Sequence, residues 1–190
     1  MKVLLVSEGK HELTGSLETL VRRLSPRELE IHLADVHWND IHTHRGKGQG
    51  FYKRAIRWLL EARKRGYDAV VLVIDEDGQA ERIKDVANAQ NYAGNEFPRA
   101  LGVAIRTFDA WMLEDEQALT AALGCLIQRQ PAPEDVKDPK QACKVLRDES
   151  EADISQTQMY VRIAELVELS LLEQRCPRGF APFADRVRRL

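Results

Sequence analysis

The sequence predicts an α/β fold: a mainly parallel sheet of four strands, flanked by helices and followed by a helical C-terminal extension. Residues 3–6 of the segment 2–7, and residues 70–74, are short runs of consecutive apolar residues, typical of strands buried on both faces of a parallel sheet. Helical patterns separate the strand-like segments, and beyond about residue 127 only helical patterns remain. We therefore divide the chain into an α/β core, residues 1–127, and an extension packed on it, residues 128–190.

The elements of the core follow from hydrophobic periodicity. Strands are expected over residues 2–7, 28–36, 70–74 and 101–108, and the alternation in the second of these indicates an edge strand with one wet face. Helices are expected over residues 10–24, 51–65 and 79–90, and from residue 109 to Gly124. The helices over residues 10–24 and 51–65 each carry an apolar stripe that would be buried.

The extension begins with a linker or long loop over residues 128–138, which contains two prolines and several charges. Asp138-Pro139-Lys140-Gln141 predicts a helix start, with Asp138 as the N-cap and proline at the first helical position. Further helices are expected around the apolar stripe Met159, Ile163, Leu166 and Val167, from Ser170, and at the C-terminus. The last is basic and short, and is expected to be a surface helix.

Composition limits the functional classes. The chain has 190 residues and a formal net charge of −2 at pH 7, so binding to nucleic acid would require a local basic patch. No apolar run approaches the ~20 residues of a membrane span, and the N-terminus lacks a signal-peptide pattern. With three scattered cysteines in addition, we expect a cytoplasmic protein with reduced thiols and no membrane association.

Acidic residues follow three of the predicted strands. Asp75 and Asp77 come at the end of the central apolar run, and they would project the same way if the extended backbone continued past Ile74. Glu8 ends the first strand and Glu12 lies in the first turn of the next helix. Each has an alternative explanation, since turns favour aspartate and helix N-termini favour acids.

Asp109 is the further acid, at the end of the fourth strand. It has two open explanations, a helix N-cap and a member of a metal site. Because ligands gather at the carboxyl ends of parallel strands, the shared position of these acids favours a common site. A cluster of carboxylates suits a hard cation such as Mg²⁺ or Mn²⁺, which could activate water and neutralise charge on a phosphoryl group.

A basic region precedes the central strand. The loop of residues 37–50 contains His44, Arg45 and Lys47, and the following helix carries Lys53, Arg54 and Arg57. The histidine spacing does not favour zinc, so the loop is either a phosphate-contacting segment or an ordinary solvated loop. Loop and helix together are the candidate nucleic-acid surface, with a solvated helix face as the alternative.

The motifs Glu8-Gly9-Lys10-His11-Glu12 and Asp75-Glu76-Asp77 resemble the TOPRIM domain of topoisomerases, primases and OLD-family nucleases. The resemblance is greatest to small stand-alone TOPRIM-like proteins of prokaryotes. It extends to residues 104–113, where relatives usually carry glutamate at the position of Asp109, and more loosely to residues 138–140 and 176–180.

The resemblance implies a Rossmann-like TOPRIM core and a Mg²⁺-dependent nuclease. It implies one metal bound by Glu8, Asp75 and Asp77, a second completed by Glu12 and Asp109, and a lysine, here Lys140, that stabilises charge on the phosphoryl group. In these terms Glu8, Asp75, Asp77 and Lys140 are the candidate catalytic residues. It also implies an ATPase partner and a place in a prokaryotic defence system.

Three other functions stay open. A non-catalytic metal- or nucleic-acid-binding subunit of an ATPase complex would keep the acids without cleaving. A receiver domain also has acids at its first and third strands, but Asp77 and the helical extension fit it poorly. A haloacid-dehalogenase-type phosphatase places D-x-D on its first strand, followed by threonine or valine, where this chain has Gln79.

Overall fold

The sheet has four parallel strands, as the sequence predicts. The computed structural model describes residues 1–9, 11–36, 50–93, 96–150 and 152–190. The strand order is β2-β1-β3-β4, and every neighbouring pair is parallel. The strands are β1 Lys2–Ser7, β2 Glu30–Asp35, β3 Ala69–Asp75 and β4 Arg99–Ala104. The predicted α/β class, the predicted edge position of β2 and the predicted burial of the two apolar runs are confirmed.

Eight α-helices and three 3₁₀-helices lie in the described part of the chain, and they cover both faces of the sheet. Val70, Leu72 and Ile74 of β3 face helices α2 and α3, whereas Val71 and Val73 face α1 and the C-terminal helices. The α-helices are α1 Ser16–Leu24, α2 Phe51–Lys64, α3 Glu81–Gln90, α4 Glu116–Leu123, α5 Pro139–Glu149, α6 Gln156–Leu166, α7 Leu169–Arg175 and α8 Phe180–Arg188, and the 3₁₀-helices are Glu12–Thr14, Phe108–Leu113 and Pro133–Asp135.

The last helix corrects the prediction of a surface helix. Phe180, Phe183 and Val187 of α8 are fully buried. A Cβ placed on Gly102 of β4 would lie 2.8 Å from Phe183 Cδ2, so glycine permits the close approach of helix and strand. The short length and basic charge of the tail suggested exposure, but α8 has an apolar face that covers β4. By contrast Leu166, expected in a buried stripe, is half exposed.

Several predicted elements end earlier than expected, at turns that the periodicity does not reveal. β4 stops at Ala104, because Arg106 adopts a left-handed backbone (φ 64°). The helix predicted from residue 109 is a 3₁₀-helix followed by α4, which is capped by Asp115 through the N–H groups of Gln117 and Ala118. The first predicted helix is likewise interrupted, at Gly15 (φ 120°).

The segment predicted as a linker is fixed to the rest of the molecule. Glu134 is buried and accepts hydrogen bonds from the backbone N–H groups of Gly179 (2.6 Å) and Arg178 (3.1 Å). The helix start at Asp138 is confirmed, since its carboxylate accepts from the Gln141 N–H. Among the described residues no helix is long and apolar enough to cross a membrane.

Candidate functional site

The predicted acidic residues line one cavity at the carboxyl edge of the sheet. Because parallel strands end at the same edge, residues that follow β1, β3 and β4 in sequence become neighbours in space. The cavity has a volume of about 400 Å³ and is referred to here as the acid pocket. Its lining residues are Glu8, Gly9, His11, Glu12, Asp75, Asp77, Arg82, Thr107, Asp109, Lys140 and Tyr160.

Glu8 and Asp75 are connected through the backbone of β3. The Asp75 N–H donates to Glu8 Oε2 (3.1 Å), and Asp75 Oδ1 accepts from the N–H of Phe108 (2.7 Å). Burial raises the pKa of Asp75 to about 8, with additional repulsion from Glu12, whereas the Phe108 hydrogen bond opposes the rise. At neutral pH Asp75 therefore holds a proton unless a positive charge enters the pocket.

Glu12 is more deeply buried than Glu8, the other acid at the junction between β1 and the following helix. It begins the 3₁₀-helix Glu12–Thr14 and is only 6% exposed. A side chain at Gly9 would overlap its carboxylate, so the glycine lets Glu12 turn back over the strand end. Burial raises the pKa of Glu12 to about 7, and repulsion from Asp109 adds to the rise. A helix-dipole role does not require such burial.

Asp77 lies at the rim of the pocket. β3 ends at Asp75, and Asp77 adopts a left-handed backbone (φ 52°), so the extended geometry expected for the pair does not continue. Its side chain is 66% exposed, and Oδ2 lies 3.8 Å from an Arg82 nitrogen. Asp75 and Asp77 thus reach the same pocket from different depths.

Asp109 is held by the C-terminal extension. Thr107, not Asp109, is the N-cap of the 3₁₀-helix Phe108–Leu113, so the capping alternative is wrong. Asp109 is 8% exposed, and its Oδ1 accepts from the Tyr160 hydroxyl and from Gln156 Nε2 (3.3 Å) of α6. Burial raises the pKa of Tyr160 far above its usual range, so the phenol stays a proton donor.

Lys140 approaches the pocket from the first turn of α5. Its side chain is exposed, and its positive charge opposes the rise in the pKa of Glu12. The resemblance alone selected this lysine from the sequence. Its position at the pocket mouth is compatible with the predicted role, which stays a prediction.

Arg82 of α3 is a member of the site that sequence reasoning missed. Its side chain is only 12% exposed; Nη1 donates to Glu8 Oε2 (3.1 Å) and to the Asp75 carbonyl (2.7 Å). The guanidinium carbon also lies 4.3 Å from the ring centroid of Phe51. The only sequence signal was a charge on the helix after D-x-D, which is normally a solvated residue.

His11 and Thr107 were also missed as pocket residues. His11 Nδ1 lies 2.8 Å from Thr157 Oγ1, and its ring meets Tyr160 edge-on at 5.8 Å. The Thr107 Oγ1 atom is buried without a hydrogen-bond partner. An unpartnered buried hydroxyl beside carboxylates indicates room for another polar ligand in the pocket.

The predicted nucleic-acid surface is described only in part. Lys53, Arg54 and Arg57 lie on α2, whereas His44, Arg45 and Lys47 lie outside the described residues. The Arg54 guanidinium lies 4.9 Å from the ring centroid of Phe51, the same ring that contacts Arg82. The basic helix therefore begins beside the acid pocket.

The oxygen-rich lining was tested against the metal that the resemblance implies. In the described part of the chain, no three His, Cys, Asp or Glu side chains form a group that could hold a metal ion as placed. The carboxylates have other partners or lie apart: Glu8 accepts a hydrogen bond from Arg82, Asp109 accepts one from Tyr160, and Asp77 lies exposed at the rim. The donor atoms suit Mg²⁺ or Mn²⁺, provided that Glu8 exchanges its arginine for the ion.

Comparisons with known proteins do not assign a family. No protein-family model matches the chain, and neither a curated protein nor a solved structure matches it. The TOPRIM resemblance therefore stays a prediction, and function has to be argued from the acid pocket.

Proposed function

We propose that the protein is a Mg²⁺- or Mn²⁺-dependent phosphodiester hydrolase of TOPRIM type that cleaves DNA or RNA. The observation that carries the proposal is the convergence of Glu8, Glu12, Asp75 and Asp109 in one largely buried pocket. Burial raises the pKa values of Glu12 and Asp75, so this arrangement opposes their ionisation. Perturbed carboxylates in a cleft are typical of functional sites.

The carboxylates divide into two groups. Glu8, Asp75 and Asp77 would hold one divalent cation, and Glu12 with Asp109 would complete a second site. When bound, such cations supply Lewis-acid stabilisation of a phosphoryl group and lower the pKa of water. They would also offset the repulsion among the carboxylates, which is the main reason to expect their binding.

The reaction adds water across a phosphodiester. A bond forms between the water oxygen and phosphorus, the bond from phosphorus to the leaving oxygen breaks, and the leaving oxygen takes a proton from solvent. A pocket carboxylate takes the proton that water gives up, with Glu8 the first candidate. Lys140 at the mouth would offset the negative charge that grows on the phosphoryl oxygens.

Nucleic acid is the preferred substrate class because of the helix beside the pocket. The overall charge of −2 gives no general attraction to a polyanion. A local attraction comes from three basic residues of α2, next to the ring of Phe51 that contacts Arg82. They are Lys53, Arg54 and Arg57. A phosphate backbone lying along α2 would thus lead to the acids.

A second candidate is a non-catalytic metal- or nucleic-acid-binding subunit of an ATPase complex. The hydrogen bonds that Tyr160 and Gln156 give to Asp109 favour it, because they occupy a carboxylate that the second metal would need. This candidate predicts metal binding without turnover.

The test combines metal binding and cleavage. Wild-type protein and the Asp75→Asn variant are titrated with Mn²⁺ by calorimetry, then incubated with single- and double-stranded DNA and RNA in Mn²⁺. We expect binding and cleavage by the wild type and loss of both in the variant. Asp148→Asn, on an exposed aspartate at the far end of α5, is the matched control and should behave as wild type.

Two outcomes would change the assignment. Full cleavage by Asp75→Asn would overturn the assignment of the reaction to the acid pocket, because a carboxylate proposed to hold the metal would then be dispensable. Binding of Mn²⁺ by the wild type without cleavage of any substrate would favour the subunit candidate, and that candidate in turn predicts that an ATPase co-purifies with the protein.

A further inference from the structure

Arg82 competes with any cation for the Glu8 carboxylate. The guanidinium donates to Glu8 Oε2 at 3.1 Å, and both side chains are largely buried, 12% and 14% exposed. Nη1 also donates to the Asp75 carbonyl (2.7 Å). A metal ion that binds Oε2 of Glu8 therefore displaces an arginine, which already brings a positive charge to the pocket.

The same arginine has donor capacity that its present contacts do not use. Its Nε is buried and has no hydrogen-bond partner, and its approach to Asp77 is long, 3.8 Å. Buried donors are normally satisfied, so an unpartnered one indicates an incomplete set of ligands around the guanidinium. An anion with several oxygens would complete that set.

The ring of Phe51 keeps the guanidinium between the acids and the basic helix. The distance of 4.3 Å from the guanidinium carbon to the ring centroid is that of a cation–π contact, which does not depend on Glu8. Arg54 contacts the same ring at 4.9 Å. Arg82 released from Glu8 would thus stay at the pocket, beside a second arginine.

We propose that Arg82 is the phosphate-binding residue of the acid pocket, held on Glu8 until a divalent cation takes that carboxylate and then bound to a phosphate oxygen of the nucleic acid. The inference rests on the proposed function, since Arg82 would link the divalent cation and the nucleic acid that this function requires. A guanidinium suits this exchange because its planar fork matches both carboxylate and phosphate. The cation and the substrate become coupled through one side chain.

The alternative is a structural tether. Through the Asp75 carbonyl, Arg82 joins α3 to the end of β3, and this bond alone would give Arg82 a reason to be buried. A tether predicts that loss of Arg82 loosens the pocket and weakens metal binding. The exchange predicts the opposite, because removal of a competitor strengthens metal binding.

The first experiment is a calorimetric Mn²⁺ titration of the wild type and the Arg82→Gln variant. We expect the variant to bind Mn²⁺ about tenfold more tightly, within the usual range of coupling between two ligands. Arg189→Gln is the matched control, since it removes the same charge from an exposed arginine of the C-terminal tail, and it should leave the affinity unchanged. Lys140→Gln removes a charge that acts on Glu12 from the pocket mouth and should give a smaller gain.

The second experiment measures binding of a fluorescein-labelled single-stranded DNA by anisotropy, with Ca²⁺ as a cation intended to limit cleavage, and again in EDTA. We expect Arg82→Gln to weaken binding about tenfold in Ca²⁺ and to have little effect in EDTA, where the wild-type guanidinium is still on Glu8. Arg82→Lys should restore part of the loss, because lysine keeps the charge without the fork.

The failures are distinguishable. If Arg82→Gln binds Mn²⁺ equally or more weakly, or weakens DNA binding equally in Ca²⁺ and EDTA, the exchange is overturned while the proposed function stands. If the wild type binds no Mn²⁺, with or without DNA, the proposed function fails and the inference fails with it. Thermal melting of both variants shows whether each is folded. If Arg82→Gln is not folded, Arg82→Lys carries the test.

Discussion

Replacement of Glu12 by glutamine should make the protein more stable at pH 8. The native pKa of about 7 lies above the ordinary value of 4.5 because the carboxyl is buried among other acids. Between these values the folded chain holds a proton that the unfolded chain has released. The free energy of unfolding therefore falls as pH rises from about 4 through 7, and the loss is complete above the native pKa.

The size of the effect follows from the shift in pKa. A rise from 4.5 to about 7 corresponds to on the order of 3 kcal/mol lost between pH 4 and pH 8. Asp75 acts in the same direction, with a native pKa of about 8, and part of its rise comes from Glu12. Glutamine is isosteric and neutral, so it removes the loss due to Glu12 and lessens that due to Asp75.

Urea unfolding at pH 5 and pH 8 measures this difference. We expect Glu12→Gln to be more stable than the wild type by less than about 1 kcal/mol at pH 5, and by a few kcal/mol at pH 8. Glu28→Gln, on an exposed glutamate, is the control and should follow the wild type. If Glu12→Gln lost as much stability as the wild type on going to pH 8, Glu12 would not be a buried, strained acid.

Three further substitutions test other parts of the structure. Gly9→Ala places a methyl group against the Glu12 carboxylate. Calorimetry should therefore show weaker Mn²⁺ binding, whereas the thermal midpoint should fall only slightly. Gly102→Ala brings a Cβ to 2.8 Å from Phe183, and urea unfolding should show a loss of about 1–3 kcal/mol; no loss would contradict the close packing of α8 on β4. Lys53→Gln should reduce the salt dependence of oligonucleotide binding by about one phosphate contact, without changing Mn²⁺ affinity, and an unchanged slope would remove α2 from the binding surface.

The central strands and their acids were predictable because short-range signals determine them. A run such as residues 70–74 has no polar residue to face water, so it must lie inside a sheet. Parallel strands then bring their ends to one edge, which places Glu8, Asp75 and Asp109 together without knowledge of any side-chain contact. Topology carried this part of the prediction.

The rest of the site depends on contacts between distant parts of the chain. Arg82 looks like a solvated helix residue until α3 is placed beside Phe51, and Tyr160 meets Asp109 across 51 positions. Backbone turns could not be predicted either. An extended backbone was expected to continue to Asp77, but β3 ends at Asp75 and Asp77 has a positive φ. Periodicity reports which face is apolar, but not which partner covers it.

The energetics of the pocket argue against a purely structural origin of the acids. Residues kept for stability normally have their charges compensated, as Glu134 does through Arg178 and two backbone donors. Glu12 and Asp75 instead have native pKa values raised by burial and mutual repulsion, so ionising them lowers the stability of the fold. Among the described residues, the lining of the pocket includes five acids, one arginine and one exposed lysine. A binding partner with positive charge would relieve this repulsion, and that is the physical basis for expecting a divalent cation at the carboxyl edge of the sheet.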